Sequence, residues 1–480
     1  VALIEAGPPL SAEEGGALST AWDAARQPVQ ARCYAYGEET AHLFVDDVDN
    51  PYTHPAGKPY SWIRGRQVGG RLRLWGRMSL RMSDLEFKAA SRDGIGVDWP
   101  ISYADLAPYY DRVESFLQVC GTAAGLAQVP DGRFLEPPPL SPGERRFKQA
   151  VEERWSTRSV LPARMAQAPA GAMVESALST GRLTLHSDSV ASRVLVGTDG
   201  ARAEGVAFVE RESGAERELR ARAVVLCASA IESTRLLLNS ATDQHPDGLA
   251  NSSGTLGRHL MDHTFGVGID GFAPAGANQS DVASFGCVVP TFRNVTEDGV
   301  DFARGYGVEL QVTPLAGGLR SRLRNRGRAP GSRFWMRAFG EVLSSPENRV
   351  TIDPGETDAW GIPVARIECA YGENEKLMAA DQIACLGEMV AAAGFESTGV
   401  YPDLETPGLS IHELGTARMG TDPASSVLDG ANCSWDVPNL LVTDASCFPS
   451  SGFQNSTLTM MALTVRACEA LAGKLARREL

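Results

Sequence analysis

Apolar residues along this chain recur with two different periods. Val1–Ile4 is an unbroken apolar run ending at Glu5, followed by Ala6, Gly7, Pro8 and Pro9. That pattern predicts a short buried strand, an acid at its carboxyl end, and a turn. Residues 50–70 are rich in Pro, Gly and Tyr and read as loop. Asp105–Val119 carries apolar residues at 106, 109, 110, 113, 116 and 117, a helical stripe. Pro137–Pro139 marks an extended connector. Gly181–His186 and Ser192–Gly197 predict strands, and Gly205–Val209 with Glu218–Arg222 predicts a hairpin turning at Ser213 and Gly214. Ala223–Ala230 predicts a buried strand running into a small-residue turn, with a helix over Glu232–Asn239. Residues 263–370 are strand-like and turn-rich, with a basic loop over Arg320–Arg328. Asn374–Ala393 predicts a long helix stopped by Gly394. Asn455–Leu480 predicts one last helix, apolar at 458, 461, 465, 468 and 471. Strands and helices thus alternate at both ends around an antiparallel block. The expected fold class is α/β, a discontinuous domain with a second, β-rich domain inserted in it.

Composition narrows the function classes. The chain has 480 residues, 43% apolar and 22% charged, an ordinary mix for a globular protein. At ~150 residues per domain, it holds about three units or two large ones. Its formal net charge of −14 speaks against a nucleic-acid partner, which needs a basic face. Seven histidines are too few for a His-rich metal tract. The nine cysteines include no CxxC pair, so buried free thiols are expected rather than disulfides or zinc. No apolar run approaches the ~18 residues of a spanning helix, so no transmembrane segment is expected. The chain opens on what reads as the inside of a domain, without a charged and apolar leader. The compartment stays open, with a soluble cytoplasmic protein favoured over a periplasmic one.

Several motifs carry candidate chemistry. An acid such as Glu5, ending the second strand of a dinucleotide-binding unit, accepts a hydrogen bond from the adenosine ribose. The glycine fingerprint would lie about 20 residues upstream of it, ahead of Val1. On position alone Glu5 is equally an ordinary strand-end carboxylate. A literal GxGxxG at Gly266–Gly271 is followed by Phe272-Ala-Pro-Ala-Gly276, which cannot open a helix, so it is expected to bind no phosphate. Gly65-Arg-Gln-Val-Gly-Gly70, followed by Leu74-Trp75-Gly76, is either a tight turn or a place where backbone approaches a flat or phosphorylated ligand. His412 lies in Ser410–Gly420, and a histidine after an apolar pair is commonly structural. Its company alters that view. Asn439–Ser446 predicts a strand delivering Asp444 at its carboxyl end, where open α/β sheets bind ligands. Gly452–Thr459 opens the last helix, with Asn455 or Ser456 as N-cap.

Together these segments resemble the glucose–methanol–choline (GMC) flavoprotein oxidoreductases. Within them the chain is most similar to sugar dehydrogenases of the gluconate, fructose and glucoside-3-dehydrogenase kind, and more distantly to pyranose oxidase. The matching stretches are Val1–Gly7, Arg64–Phe87, Asp98–Gly121, Ala223–Ser240, Asn251–Asp262, His412–Gly420 and Asn439–Ala467. The resemblance implies FAD in a Rossmann-like domain over 1–135, 175–262 and 408–480. It also implies a substrate domain of β-rich α+β type over 136–174 and 263–407. By the same resemblance, Glu5 holds the adenosine ribose, and Gly69, Gly70, Leu74, Trp75 and Gly76 run along the pyrophosphate and isoalloxazine. Val190 meets the adenine through its backbone, and Ala228 and Ser229 border the cofactor. Asp444 and Ala445 contact the ribityl–pyrophosphate region, and Asn455, Ser456 and Thr457 sit at the pyrimidine edge of the flavin.

The implied catalytic pair is His412 and Asn455. Oxidising an alcohol on a flavin moves a hydride to N5 while the hydroxyl proton goes to a base. An imidazole titrating near neutrality can take that proton. A carboxamide can hydrogen-bond the same hydroxyl without competing for it. Candidate substrate contacts, chosen by nearness to the motifs, are Arg73, Arg77, Glu413 and Gln454. Two departures stand out. The glycine fingerprint is missing, and Met165–Gly171 runs on without the cysteine-rich loop of the sugar dehydrogenases. The expected activity is FAD-dependent oxidation of a sugar or glycoside hydroxyl to a ketone, with an electron acceptor and oligomeric state left open. Alternatives are a member that binds no FAD and serves as a partner subunit, and an alcohol oxidase or lyase acting on a non-sugar.

Overall fold

The fold is that of a computed structural model describing residues 1–9, 25–274, 284–314 and 332–480. The basic loop Arg320–Arg328 lies outside the described residues, as does Gly276. Two short parallel pairs carry the α/β part. Ala2–Ile4 pairs in parallel with Thr184–His186, and Val224–Leu226 with Leu440–Val442; the two pairs share no ladder. Beside them Ser189–Val196, Ala203–Glu210 and Glu216–Arg220 form an antiparallel sheet of three strands. The strand expected over Ala223–Ala230 is only three residues long. Cys227 and Ala228 are already exposed at its end, and Ser229 turns with φ 88° into the helix Ala230–Leu238.

The larger sheet has six strands, all paired antiparallel. Its order is Glu396–Tyr401, Gly268–Ala273, Ser332–Gly340, Tyr306–Pro314, Cys287–Val289 and Leu161–Pro162. The GxGxxG at 266–271 therefore runs into a strand and opens no helix. Side chains alternate across the pleat. Tyr306, Val308, Leu310 and Val312 are buried, packing with Met378, Leu386 and Met389 of the long helix Glu373–Ala392 and with Phe147 and Val151 of Pro142–Arg154. A second cluster packs Leu106, Tyr110 and Val113 of the helix Tyr103–Leu117 against Leu458, Ala462 and Leu463 of the last helix. The capping box of Ser102 and Asp105 fixes where the first of these helices begins.

The last helix spans Thr457–Ala476 and starts later than expected. Neither Asn455 nor Ser456 caps it through a side chain, because Ser456 is itself helical (φ −68°, ψ −20°) and the Asn455 amide turns elsewhere. The loop before it is wedged against the large sheet. Gly307 lies on the face opposite Val308, and a Cβ there would sit 2.1 Å from the Phe453 ring. Gly307→Ala should therefore destabilise the protein by ~1–3 kcal/mol although alanine suits an extended backbone better than glycine. Denaturant unfolding of the two proteins, read by near-UV circular dichroism, measures it. An unchanged midpoint would mean that Phe453 has room to move.

Candidate active site

The site is built on a buried carboxylate. Asp262 is 1% exposed and gathers donors from two segments about 150 positions apart. It accepts from the backbone N–H of Gly408 (3.0 Å), His412 (3.2 Å) and His263 (2.9 Å), and from the Ser410 hydroxyl. Burial and the nearby Glu413 push its carboxyl up to about 7, against the pull of those donors. The turn it holds is tight. Gly408 has φ 96°, and a Cβ there would come 2.4 Å from the Ser61 carbonyl oxygen. Ile411 has φ 64°, a left-handed conformation that is strained for a β-branched residue. That strained residue directly precedes His412.

Asn455 and His263 then meet the His412 ring from its two nitrogens. His412 Nε2 lies 3.4 Å from Asn455 Nδ2, and Asn455 Oδ1 is buried with no partner. His412 Nδ1 lies 2.9 Å from His263 Nδ1, the rings crossing at 83° with centroids 4.8 Å apart. His263 Nε2 lies 2.7 Å from the Gly452 carbonyl oxygen. Burial, then His263, then Arg71 hold the His412 imidazole well below its ordinary value. Burial brings His263 down to about 4, partly offset by its bond to Gly452. Both rings are neutral at pH 7. Arg71 donates to Glu413 at 2.7 Å on the flank of the site.

His263 and Asp262 were assigned no role from sequence. The signal available was their adjacency in Leu260-Met-Asp-His263, where the family-like stretch Asn251–Asp262 ends. Arg71, between the motif residues Gly70 and Leu74, carries no sequence signal of its own. Three of the expected substrate contacts point elsewhere: Arg73 Nε donates to the Val68 carbonyl (3.2 Å), Arg77 to the Ala168 carbonyl (3.4 Å), and Gln454 to Glu86 (3.1 Å) and the Gln128 carbonyl (2.9 Å). Gln454 is fully buried and Glu413 is buried against Arg71, and each keeps one oxygen without a partner.

Glu5, Ala228, Ser229 and Asp444 follow the carboxyl ends of the parallel strands, where open α/β sheets bind ligands. Glu5 follows Ile4, accepts from the Gly7 N–H at 2.7 Å, and is raised by burial. Its backbone carbonyl accepts from Ser189 N–H, next to Val190 (2.9 Å). The Gly69–Gly70 turn, with φ 97° and 56°, lies alongside, since Val68 N–H donates to the Pro8 carbonyl (3.0 Å). Leu74 and Trp75 are half-buried and Gly76 is exposed. At the other pair, Ser233 donates to Asp444 and Ala228 N–H donates to Ser233 Oγ (3.1 Å), so the turns at Ala228–Ser229 and Asp444–Ala445 adjoin. Ser456 and Thr457 head the last helix, whose first N–H groups no side chain caps.

Two family models, both described as GMC oxidoreductase, match residues 146–265 and 344–464, together about half of the chain. The chain belongs to the GMC oxidoreductases. It is 29% identical to the 2-methyl-1,2-propanediol dehydrogenase of Mycolicibacterium austroafricanum, over 97% of this chain and 90% of that one. It is also 29% identical to the fructose dehydrogenase large subunit of Gluconobacter japonicus, over 85% and 80%. The structure of an Aspergillus oryzae formate oxidase variant, studied for FAD modification, superposes with a TM-score of 0.65 at 14% identity, covering 100% of this chain and 94% of that one. That likeness concerns the fold, an α/β FAD-binding fold with a substrate domain. GMC oxidoreductases bind FAD, and the observed groups fit it. A half-buried acid follows the first strand, the last helix has no side-chain cap and starts two residues after Asn455, and Asn455 Oδ1 is an unused acceptor. No helix among the described residues is long and apolar enough to cross a membrane.

Removing the Asp262 carboxylate leaves its donors unpaired in the interior, a loss on the order of 3 kcal/mol. Asp262→Ala is expected to lower the thermal midpoint and weaken activity together. Wild-type stability in that variant would show that the 408–412 turn holds its own shape.

Proposed function

We propose that this chain is an FAD-dependent dehydrogenase or oxidase that converts a secondary hydroxyl of a sugar or glycoside to a ketone. His412 is the base and Asn455 the hydroxyl's hydrogen-bond partner. The observation that carries this reading is the gap between His412 Nε2 and Asn455 Nδ2. At 3.4 Å their direct bond is weak, so a hydroxyl that displaces it can meet both atoms. A hydroxyl placed there accepts from the carboxamide N–H and gives its own proton to the imidazole lone pair. Neutral His412 is competent to receive it. Bound FAD supplies the hydride acceptor for the carbinol carbon. The N–H groups of the last helix, which starts two residues after Asn455, favour negative charge at its mouth.

The remaining assignments follow the same reading. Glu5 accepts from the adenosine ribose, and Val190 meets the adenine through its backbone. Gly69, Gly70 and Leu74–Gly76 lie along the pyrophosphate and isoalloxazine, bordered by Ala228 and Ser229. Asp444 and Ala445 serve the ribityl–pyrophosphate region, and Ser456 and Thr457 the pyrimidine edge. Residues 1–135, 175–262 and 408–480 form the cofactor part, and 136–174 and 263–407 the substrate part. The two largest buried clusters divide along these lines almost completely, and two smaller ones span the boundary between the parts. The fructose dehydrogenase relative supports a sugar. The propanediol dehydrogenase relative favours a second reading, a small non-sugar alcohol.

The test is flavin reduction in the purified FAD-loaded protein, with sugars, glycosides and short diols in parallel and with dye or oxygen as acceptor. His412→Ala should keep bound flavin and lose ~10²–10⁴-fold in its reduction by substrate. Undiminished reduction would take the base role from His412. A protein that refuses added FAD would end the enzyme reading altogether.

The low basicity of His412 also sets a pH dependence. Its proton binds only at a pH more acidic than for an ordinary imidazole of ~6.5. The acid limb of kcat/KM should therefore fall below pH ~6.5. A titration with its midpoint at or above that value would contradict a neutral, buried base.

A further inference from the structure

We infer that His263 is a positioning residue that fixes the tautomer of His412 and so selects Nε2 as the basic nitrogen. The assignment follows from which atoms can donate. A carbonyl oxygen only accepts, so the 2.7 Å contact of His263 Nε2 with the Gly452 carbonyl requires a proton on that nitrogen. His263 is fully buried and neutral, so its Nδ1 carries a lone pair. His412 Nδ1, 2.9 Å away, must then donate to it. His412 is neutral as well, which leaves its Nε2 unprotonated and facing the Asn455 amide N–H. A single backbone carbonyl thus orders two imidazoles.

The alternative arrangement is costly. Placing the His412 proton on Nε2 sets two lone pairs against each other 2.9 Å apart in the interior, and aims a donor at the Asn455 donor. The other groups around the pair do not compete for the ring nitrogens. Asp262 accepts the backbone N–H of both histidines and the Ser410 hydroxyl, while Arg71 is paired with Glu413. Gly452 is itself held in place. The next residue, Phe453, packs against Gly307, and Ser451 N–H donates to Glu341 at 3.2 Å. The carbonyl that sets the chain of donors is therefore a fixed point. As His412 takes up a proton on Nε2, its Nδ1–H bond to His263 becomes charge-assisted and strengthens.

The effect on catalysis rests on the function proposed for His412, but the tautomer does not. Two-bond ¹H–¹⁵N correlation spectra of the full-length FAD-loaded protein, labelled with ¹⁵N, report the tautomer of each of its seven histidines. The His412 signals are found by their loss in His412→Gln. The expected result is Nδ1–H at His412 and Nε2–H at His263, in the wild type and without substrate. Nε2–H at His412 overturns the inference whatever the activity. For the kinetic role, His263→Leu should lower kcat ~10–100-fold with KM little changed, and shift His412 to mixed tautomers. His263→Asn, which keeps an acceptor near Nδ1, should recover most of that loss. Equal kcat in His263→Leu and wild type would remove the positioning role. Wild-type reduction in His412→Ala would fail the function instead and leave the tautomer assignment standing.

Discussion

One buried carboxylate holds the site together. Asp262 binds the N–H of Gly408, His412 and His263 and the hydroxyl of Ser410, tying together two segments that also pair through the Met261–Leu414 bridge. An unpaired carboxylate could not remain in that interior, and unpaired amides would be nearly as unfavourable. Each half of the arrangement therefore requires the other. The strained φ of Ile411 is tolerable only because the backbone on both sides is tied down. The histidine rings emerge from this anchor already facing one another.

The third segment reaches the same point from the far end of the chain. Loop 450–455 is fixed at nearly every residue. Ser450 accepts from the Trp99 indole, Ser451 N–H donates to Glu341, Phe453 packs on Gly307 and Gln454 donates to Glu86. The contacts come from both the α/β part and the six-stranded sheet, so the loop sits where the two cores touch. Gln454 and Asn455 each keep an unused amide oxygen, and of the two it is Asn455 whose amide meets the His412 ring. Rigid neighbours around an unsatisfied group are what a preorganised binding site requires.

Much of this was legible in the sequence, and the limits have physical causes. The period-3.6 stripes at 103–117, 373–392 and 457–476 and the alternating strands are local patterns, and they placed these elements within a few residues. His412 and Asn455 stood out through their motifs, and the structure brings them together. His263 and Asp262 did not stand out, because their importance is a contact across about 150 residues and no spacing rule encodes it. The helix cap failed for a related reason. Asn455 has the right chemistry for an N-cap, but its amide turns to the imidazole instead. Gln454 and Glu413 looked available as neighbours of the motifs and proved to be interior, since alternate residues of a tight loop face opposite ways.

The charges around His412 explain why a weakly basic imidazole suits this place. Arg71 lies on one flank, neutralised by Glu413, and Asp262 behind the ring titrates near neutrality. Burial, His263 and Arg71 all oppose a cation on the ring. The lone pair is therefore kept free of solvent protons, which is the first requirement of a base. A base this weak cannot hold the proton of an alcohol against an alkoxide left behind. On the proposed reading, the proton reaches His412 only as the carbinol carbon gives up its hydride, when the product is a neutral ketone and no alkoxide remains. The site then has to position both hydrogens of the alcohol at once, which is the task that the locked imidazole and the Asn455 carboxamide share.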